Sequence, residues 1–193
     1  MDINSFCRID LHLFSLVACG IMLLSDAALS DRRLLQNRIF RGLIIATMAT
    51  LLVDLLGVYS DGKPELYILS YIVETMLYVI APVAPCMWTF YVSYLLFQDI
   101  RRLRIEMSIF FTLMLVNAVF SLLSPIHGFM FTISTQNVFS RGPFFFILGI
   151  ASFLPPLYAF VISIARRSHE TRKTLAPLLL FPLPIIIAAA LQM

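Results

Sequence analysis

The stretch that decides the fold is residues 66–97, LYILSYIVETMLYVIAPVAPCMWTFYVSYLLF. It is longer than the about 20 residues that one membrane crossing needs. No polar hairpin divides it, so two separate helices are not expected there. Pro82 and Pro85 lie near its middle, and proline removes a helical hydrogen bond and bends the axis. We therefore predict one tilted or kinked helix that projects from the bilayer.

Five further apolar runs are each about long enough for one membrane crossing. They lie at residues 11–29, 40–59, 105–123, 143–165 and 175–193. The chain of 193 residues is 60% hydrophobic and 13% charged, against about 45–50% apolar and about 25% charged residues in a soluble domain. A soluble fold of this size cannot bury so much apolar surface, and barrel strands would be shorter and strictly alternating. The sequence predicts a single all-α domain over residues 1–193, a polytopic transmembrane bundle of about six helices.

The basic residues predict the orientation of the bundle. Of the 14 Lys and Arg residues, 11 lie in the first, third and fifth loops, at Arg32, Arg33, Arg38, Arg41, Arg101, Arg102, Arg104, Arg166, Arg167, Arg172 and Lys173. Basic loops stay in the cytoplasm. We therefore expect the odd loops inside, and the even loops and the amino terminus outside. The first ten residues lack the basic start of a secretory signal, so we expect the first run to be a retained helix.

No pattern in the sequence indicates a catalytic centre. His12, His127 and His169 lie in separate segments, and no HExxH, glycine-rich phosphate loop or GxSxG motif occurs. We expect no catalytic residue, no metal and no cofactor. The net charge of +3 is too weak and too dispersed to indicate nucleic acid, and the expected partner is the lipid bilayer.

Two carboxylates inside apolar runs, Asp54 and Glu74, are candidates for function. A carboxylate inside a membrane is costly and usually faces the bundle or a wet cavity. Three tyrosines share a helical face with Glu74, because the four residues follow at steps of four, three and four. They are Tyr67, Tyr71 and Tyr78. The pattern predicts an outward-open pocket for a cation or a small polar ligand. Structural hydrogen bonds to the acids and an interfacial aromatic belt explain it as well.

The fourth loop, residues 125–142, is the longest segment expected outside, and it contains Asn137 and Arg141. Arg141 is a candidate clamp for an anionic ligand, and it can equally pair with an acid or a lipid phosphate. Alternation over residues 129–134 is compatible with a short strand or hairpin.

Pro82, Pro85 and Trp88 are the candidate moving part. The prolines free backbone carbonyls near mid-membrane, so the helix can swing there when an outer pocket fills. A static kink explains the same residues.

The chain stops at residues 189–193, AALQM, without a polar flank. Two interpretations stand open. The chain is a fragment whose next helix is missing, or it is a natural six-helix protein with a short end.

The motifs around the fourth loop resemble a known family. They are Ser124-Pro125, Gly128-Phe129, Phe131-Thr132-Ile133, Asn137-Val138-Phe139 and Arg141-Gly142-Pro143. With the stretch that carries Trp88 and Tyr91, and the Pro182–Pro184 stretch ending in Gln192, they resemble the amino-terminal seven-helix membrane module of bacterial GGDEF-type diguanylate cyclases and related histidine kinases. The resemblance covers nearly the whole chain. A seventh helix and an output domain, expected after Gln192, are not in this sequence, so the cyclase activity is not carried over.

The resemblance implies a sensor or receptor module in a bacterial cell membrane. The residues expected to bind an unknown small-molecule ligand are Asp54, Glu74, Tyr71, Asn137 and Arg141. Ligand binding would change the packing of the helices, and the residues expected to transmit this change are Pro82, Pro85 and Trp88. The chain is expected to form a homodimer through its missing cytoplasmic output domain. The alternatives are a small secondary transporter or an intramembrane enzyme, either of which would use Asp54 and Glu74, and a stand-alone integral membrane protein.

Overall fold

The computed structural model describes residues 3–29 and 34–165. Apart from one small hairpin the regular structure is helical, so the predicted all-α bundle is confirmed. Within the described residues, five stretches are long and apolar enough to cross a membrane, namely Ile9–Ala28, Leu35–Ser60, Pro64–Phe97, Ile100–His127 and Phe146–Ala165. The sixth predicted run, residues 175–193, lies outside the described residues.

Helices α1 (Ile3–Leu29) and α2 (Leu35–Ser60) pack side by side. Both begin before the apolar runs that predicted them, because a helix continues into polar sequence as long as its backbone hydrogen bonds are made. Arg41, which was expected in the first loop, therefore lies inside α2 and donates a hydrogen bond to the Asp26 carboxylate of α1.

Residues 64–97 form one broken helix, which confirms the predicted kink. A short 3-10 turn at Pro64–Leu66 leads into α3 (Tyr67–Ile80), and α4 (Val83–Phe97) follows after a two-residue break. Pro82 lies in this break. It has no N–H to continue the hydrogen-bond ladder of α3.

A tight turn joins α4 to α5 (Ile100–His127). Gln98 takes the left-handed conformation with φ 50°. Asp99 caps α5 by accepting hydrogen bonds from the backbone N–H groups of Arg101 at 2.8 Å and Arg102 at 3.3 Å. The arginines predicted in the third loop thus lie in the first turns of α5. We call this end of the bundle, marked by Asp99, Arg101 and Arg102, the arginine end.

Contrary to the prediction, the fourth loop does not begin at residue 125. Helix α5 continues to His127, with Pro125 inside its last turn. The helix ends at left-handed Gly128, whose φ is 68° and whose N–H donates to the Ser124 carbonyl at 2.8 Å. Pro125 is tolerated because it removes one donor close to the helix end, where the cap supplies the closing hydrogen bond.

An antiparallel hairpin follows, which confirms the strand predicted from alternation. Strand β1 (Phe131–Ile133) pairs with β2 (Phe139–Arg141) in the register Phe131–Arg141, Thr132–Ser140 and Ile133–Phe139. Phe131 and Ile133 are buried while Thr132 is exposed, so one face of the hairpin packs onto the bundle. We call the end of the bundle under β1 and β2 the hairpin end.

Helix α6 (Phe146–Ala165) packs mainly on α4. Trp88 and Val92 of α4 form a buried cluster with Ala159 and Ile162 of α6. Many large apolar side chains elsewhere face outward, as expected for helices that lipid surrounds.

Candidate functional site

Tyr71 attaches the hairpin to α3. Its hydroxyl accepts a hydrogen bond from the N–H of Ile133 at 3.2 Å and donates to the carbonyl of the same residue at 3.3 Å. Its ring lies 5.9 Å from that of Phe131, between centroids. The hydroxyl that was expected to face a ligand therefore holds the backbone of β1.

Asn137 attaches the hairpin turn to the loop between α2 and α3. The residue is 2% exposed, and its Nδ2 donates to the carbonyls of Ser60 at 2.6 Å and Lys63 at 2.9 Å. Its backbone is left-handed with φ 59°. Its N–H donates to Ser134 at 2.8 Å, and its carbonyl accepts from Gly62 at 3.3 Å. The second and fourth loops thus lie at the same end of the bundle, as the alternating charges require.

Gly142 closes the base of the hairpin at a position where no side chain fits. A Cβ there would lie 2.5 Å from the carbonyl oxygens of Gly128 and Phe129. The N–H of Gly142 donates to the Met130 carbonyl at 2.9 Å, and the Met130 N–H donates to the Ser124 hydroxyl at 2.6 Å. The Ser and Gly residues of the fourth-loop motifs therefore build the hairpin itself.

A small polar cavity lies beneath the hairpin, at the end of α2. Its volume is about 20 Å³, and its lining residues are Gly57, Ser60, Asp61, Ser70, Glu74, Ile133, Asn137 and Phe139. Ser70 is 6% exposed, and its hydroxyl has no hydrogen-bond partner among the described residues. A space of this size holds about one water-sized particle. This hairpin cavity is the candidate functional site.

The structure brings two of the five predicted ligand-binding residues, Glu74 and Asn137, into the hairpin cavity. Asp54 lies elsewhere, on the face of α2 that meets α1. Its Oδ2 is 2.6 Å from Nε2 of His12, with the Asp54 side chain 34% exposed and the His12 side chain 11% exposed. Sequence reasoning missed this pair, because the two residues lie in different runs.

Arg141 lies at the end of β2 and is exposed. Its guanidinium carbon is 4.7 Å from the centre of the Phe145 ring, a distance at which a cation is attracted to an aromatic face. It does not line the hairpin cavity.

The three residues predicted to transmit a signal follow α3 along the chain, in the break and in α4. Pro82 marks the break between α3 and α4. The Pro85 carbonyl accepts a hydrogen bond from the Thr89 hydroxyl at 2.9 Å. Trp88 is 4% exposed in the cluster with α6, and its indole N–H has no partner in the part of the chain that the structure describes.

A second polar network, at the arginine end, was not predicted. The Oε1 of buried Glu106 accepts hydrogen bonds from Nε of Arg102 at 2.9 Å and from the Tyr158 hydroxyl at 2.7 Å. Arg102 also donates to that hydroxyl at 3.1 Å and lies 3.4 Å from the centre of the Phe97 ring. The four-residue spacing of Arg102 and Glu106 could have indicated their ion pair. No sequence pattern connects them to Tyr158.

Comparison with known protein families, with curated proteins and with solved structures finds no match for this chain.

Proposed function

We propose that this chain is a sensory module in the cell membrane of a bacterium, which receives a signal at the hairpin end and passes it to a cytoplasmic output domain such as a diguanylate cyclase. In this proposal the chain is not itself an enzyme, and it pairs with a second copy through the output domain. One observation carries the proposal. The hairpin is bonded to α3, and α3 leads through a proline break into α4, whose Trp88 packs against α6.

A sensor needs two arrangements whose populations a signal can change. Movement of the hairpin displaces Tyr71, because its hydroxyl bonds both the N–H and the carbonyl of Ile133. Helix α3 is stiff, so the displacement is taken up where its hydrogen-bond ladder is interrupted, at Pro82. Trp88 lies beyond that break. It is the first large core side chain beyond the break, and we expect it to respond.

The chain contains a single tryptophan, so its intrinsic fluorescence reports on this segment. The experiment compares the wild type with Tyr71→Phe as purified full chains in lipid nanodiscs. We expect the variant to be cleaved faster by trypsin after Arg141, because the hairpin is held less firmly, and its Trp88 emission maximum to shift. Thr135→Ala is the matched control, because Thr135 is exposed at the hairpin turn, and it should change neither measurement.

One combination of results would contradict the sensor proposal. If trypsin cleaves Tyr71→Phe faster while the Trp88 emission stays that of the wild type, the hairpin moves without affecting the core. The proposed path of the signal then does not exist.

A small secondary transporter is the second candidate, and the pair of Asp54 and His12 favours it. Acidic and imidazole groups inside spans are the groups that carry protons or cations across membranes. Proton or sodium uptake into liposomes that hold the pure chain, lost in Asp54→Asn and kept in Asp10→Asn, would support transport. Asp10 is exposed on the same helix as His12.

A further inference from the structure

We infer that the hairpin cavity binds one alkali cation stripped of most of its water, Na⁺ in preference to K⁺, between the Glu74 carboxylate and the Ser70 hydroxyl, at the negative end of the α2 helix dipole. This inference deepens the proposed function by naming the ligand. It rests on the proposed function only for the consequence of binding, because the binding itself can be measured directly.

The size of the cavity decides the class of ligand. Pockets for organic ligands have volumes of about 300–1,000 Å³, whereas the hairpin cavity measures about 20 Å³. Only a monatomic ion or a water molecule fits. The small organic ligand expected from the tyrosine-rich face is therefore excluded from this cavity.

The Ser70 hydroxyl points to an occupant. It is buried, and no described residue donates a hydrogen bond to it or accepts one from it. An unsatisfied buried hydroxyl costs about 1–3 kcal/mol, so such groups in native proteins usually contact water or an ion. Ser70 lines the same cavity as Glu74, and its oxygen can serve as a cation ligand beside the carboxylate.

The electrostatics of the cavity favour a positive charge. Glu74 and Asp61 line it, and helix α2 ends there with its carbonyls, the negative end of the helix dipole. The carbonyls of Gly57 and Ser60 already accept hydrogen bonds within the protein, so α2 contributes the field of its dipole to the cavity and no direct ligand. The loop cation Lys63 does not line the cavity, and its amino group lies over the Tyr59 ring, 3.6 Å from the ring centre.

The ligand set suits a singly charged ion. In the described part of the chain no three His, Cys, Asp or Glu side chains come together to hold a metal ion. Ca²⁺ and Mg²⁺ take six or more oxygen ligands, which the protein and bound waters supply, and this cavity has no room for such a shell. A carboxylate is a ligand of high field strength, which favours the smaller Na⁺ over K⁺.

The test measures the thermal unfolding midpoint of the purified full chain at constant ionic strength in NaCl, KCl or N-methyl-D-glucamine chloride. Since an ion that binds only the folded state stabilises it by mass action, we expect NaCl to raise the midpoint by about 5 °C at saturation, and KCl to raise it less. Equal midpoints in the three salts would mean that the cavity holds a buried water only, and the inference would be overturned.

Gly57→Ala is the sharpest variant, because it fills the cavity without removing a polar group. A Cβ at Gly57 would lie 3.5 Å from Cγ1 of Val73 and 4.0 Å from Oε1 of Glu74, which are ordinary contact distances. Alanine also favours helix over glycine. We expect this variant to keep or raise its midpoint in N-methyl-D-glucamine chloride and to lose the response to NaCl. A full NaCl response in this variant would overturn the inference.

Gly149→Ala is the matched control, because it makes the same change inside α6 and its Cβ would meet nothing within 4 Å. It should keep the NaCl response. Ser70→Ala should fold normally, because it removes an unsatisfied hydroxyl. The NaCl concentration it needs for half of the response should rise about tenfold, the equivalent of one lost ligand contact.

The two proposals fail in different ways. A NaCl-dependent midpoint without any NaCl-dependent change of Trp88 emission leaves the cation site standing and contradicts the sensor. Equal midpoints in all salts, with Trp88 still responding to Tyr71→Phe, overturn the cation site and leave the sensor.

Discussion

Asn117 of α5 donates a hydrogen bond from its Nδ2 to the main-chain carbonyl of Tyr78, at 2.7 Å. This is the carbonyl that Pro82 leaves without its helical donor, because proline has no N–H and follows Tyr78 by four residues. Asn117 is fully buried. Its side chain replaces the missing backbone donor and fastens α5 to the break between α3 and α4.

The first prediction concerns this replacement. Asn117→Ala leaves the Tyr78 carbonyl without a donor, and we expect a loss of about 1–3 kcal/mol in the free energy of unfolding. The loss should fall at the low end of that range, because Oδ1 of Asn117 itself has no partner among the described residues. Unfolding in detergent with a chemical denaturant measures it.

Pro82→Ala restores the helical N–H, so Asn117→Ala should cost less in that background, with a coupling of about 1 kcal/mol in the double-mutant cycle. Thr112→Ala is the control on the same helix, because the Thr112 hydroxyl is exposed and bonds only within α5. If Asn117→Ala lowers the free energy of unfolding equally in the wild type and in Pro82→Ala, Asn117 does not replace the missing donor of Pro82.

The second prediction concerns Asn137. Both Asn137→Ala and Asn137→Gly lose the hydrogen bonds to Ser60 and Lys63. Only alanine also strains the left-handed backbone, at about 1–2 kcal/mol. The alanine variant should therefore unfold more easily than the glycine variant by about 1 kcal/mol, and trypsin should cleave it faster after Arg141. Gln136→Ala, at an exposed neighbouring position, should behave as the wild type. Equal stability of the two Asn137 variants would show that the turn does not need φ 59°.

The third prediction concerns the network at the arginine end. Glu106→Gln and Tyr158→Phe each weaken contacts of the same carboxylate oxygen, so we expect each to lower the free energy of unfolding by about 1–2 kcal/mol. The double variant should lose less than the sum, because residues in one network are coupled. Arg101→Ala, at an exposed position, is the control. Additive losses would mean that the two contacts act independently.

The fourth prediction is the orientation of the bundle. We replace the three native cysteines by alanine and introduce Glu65→Cys or Arg101→Cys, both at exposed positions. A membrane-impermeant thiol reagent added to intact cells should label the cysteine at 65 and not the one at 101, since basic segments stay in the cytoplasm. The reverse pattern of labelling would show that the bundle has the opposite orientation, with the hairpin end in the cytoplasm.

The spans and the kink could be predicted because their causes are local. A bilayer demands a continuous apolar run, and Pro82 breaks its own helix whatever surrounds it. The end of α5 was misplaced because the cap at Gly128, and not Pro125, sets it.

The partners of polar groups could not be predicted, because they come from distant parts of the chain. Asp54 meets a residue 42 positions away, Tyr78 one 39 positions away, and Asn137 one 77 positions away. The four-three-four spacing of the tyrosines and Glu74 predicted a helical face that binds a ligand. The same spacing is compatible with a helical face on which Tyr71 binds the hairpin. The Ser70 hydroxyl lacks a hydrogen-bond partner among the described residues only because of how the helices pack, so the sequence alone could not indicate it.

Among the described residues, two polar pairs join α1 to α2, His12 with Asp54 and Asp26 with Arg41. The two contact points are about 21 Å apart along α1 and about 20 Å apart along α2, at 1.5 Å per residue. A slide of one helical turn, about 5.4 Å, would break both pairs at the same moment. Both pairs together therefore oppose a piston-like slide of the first helix against the second.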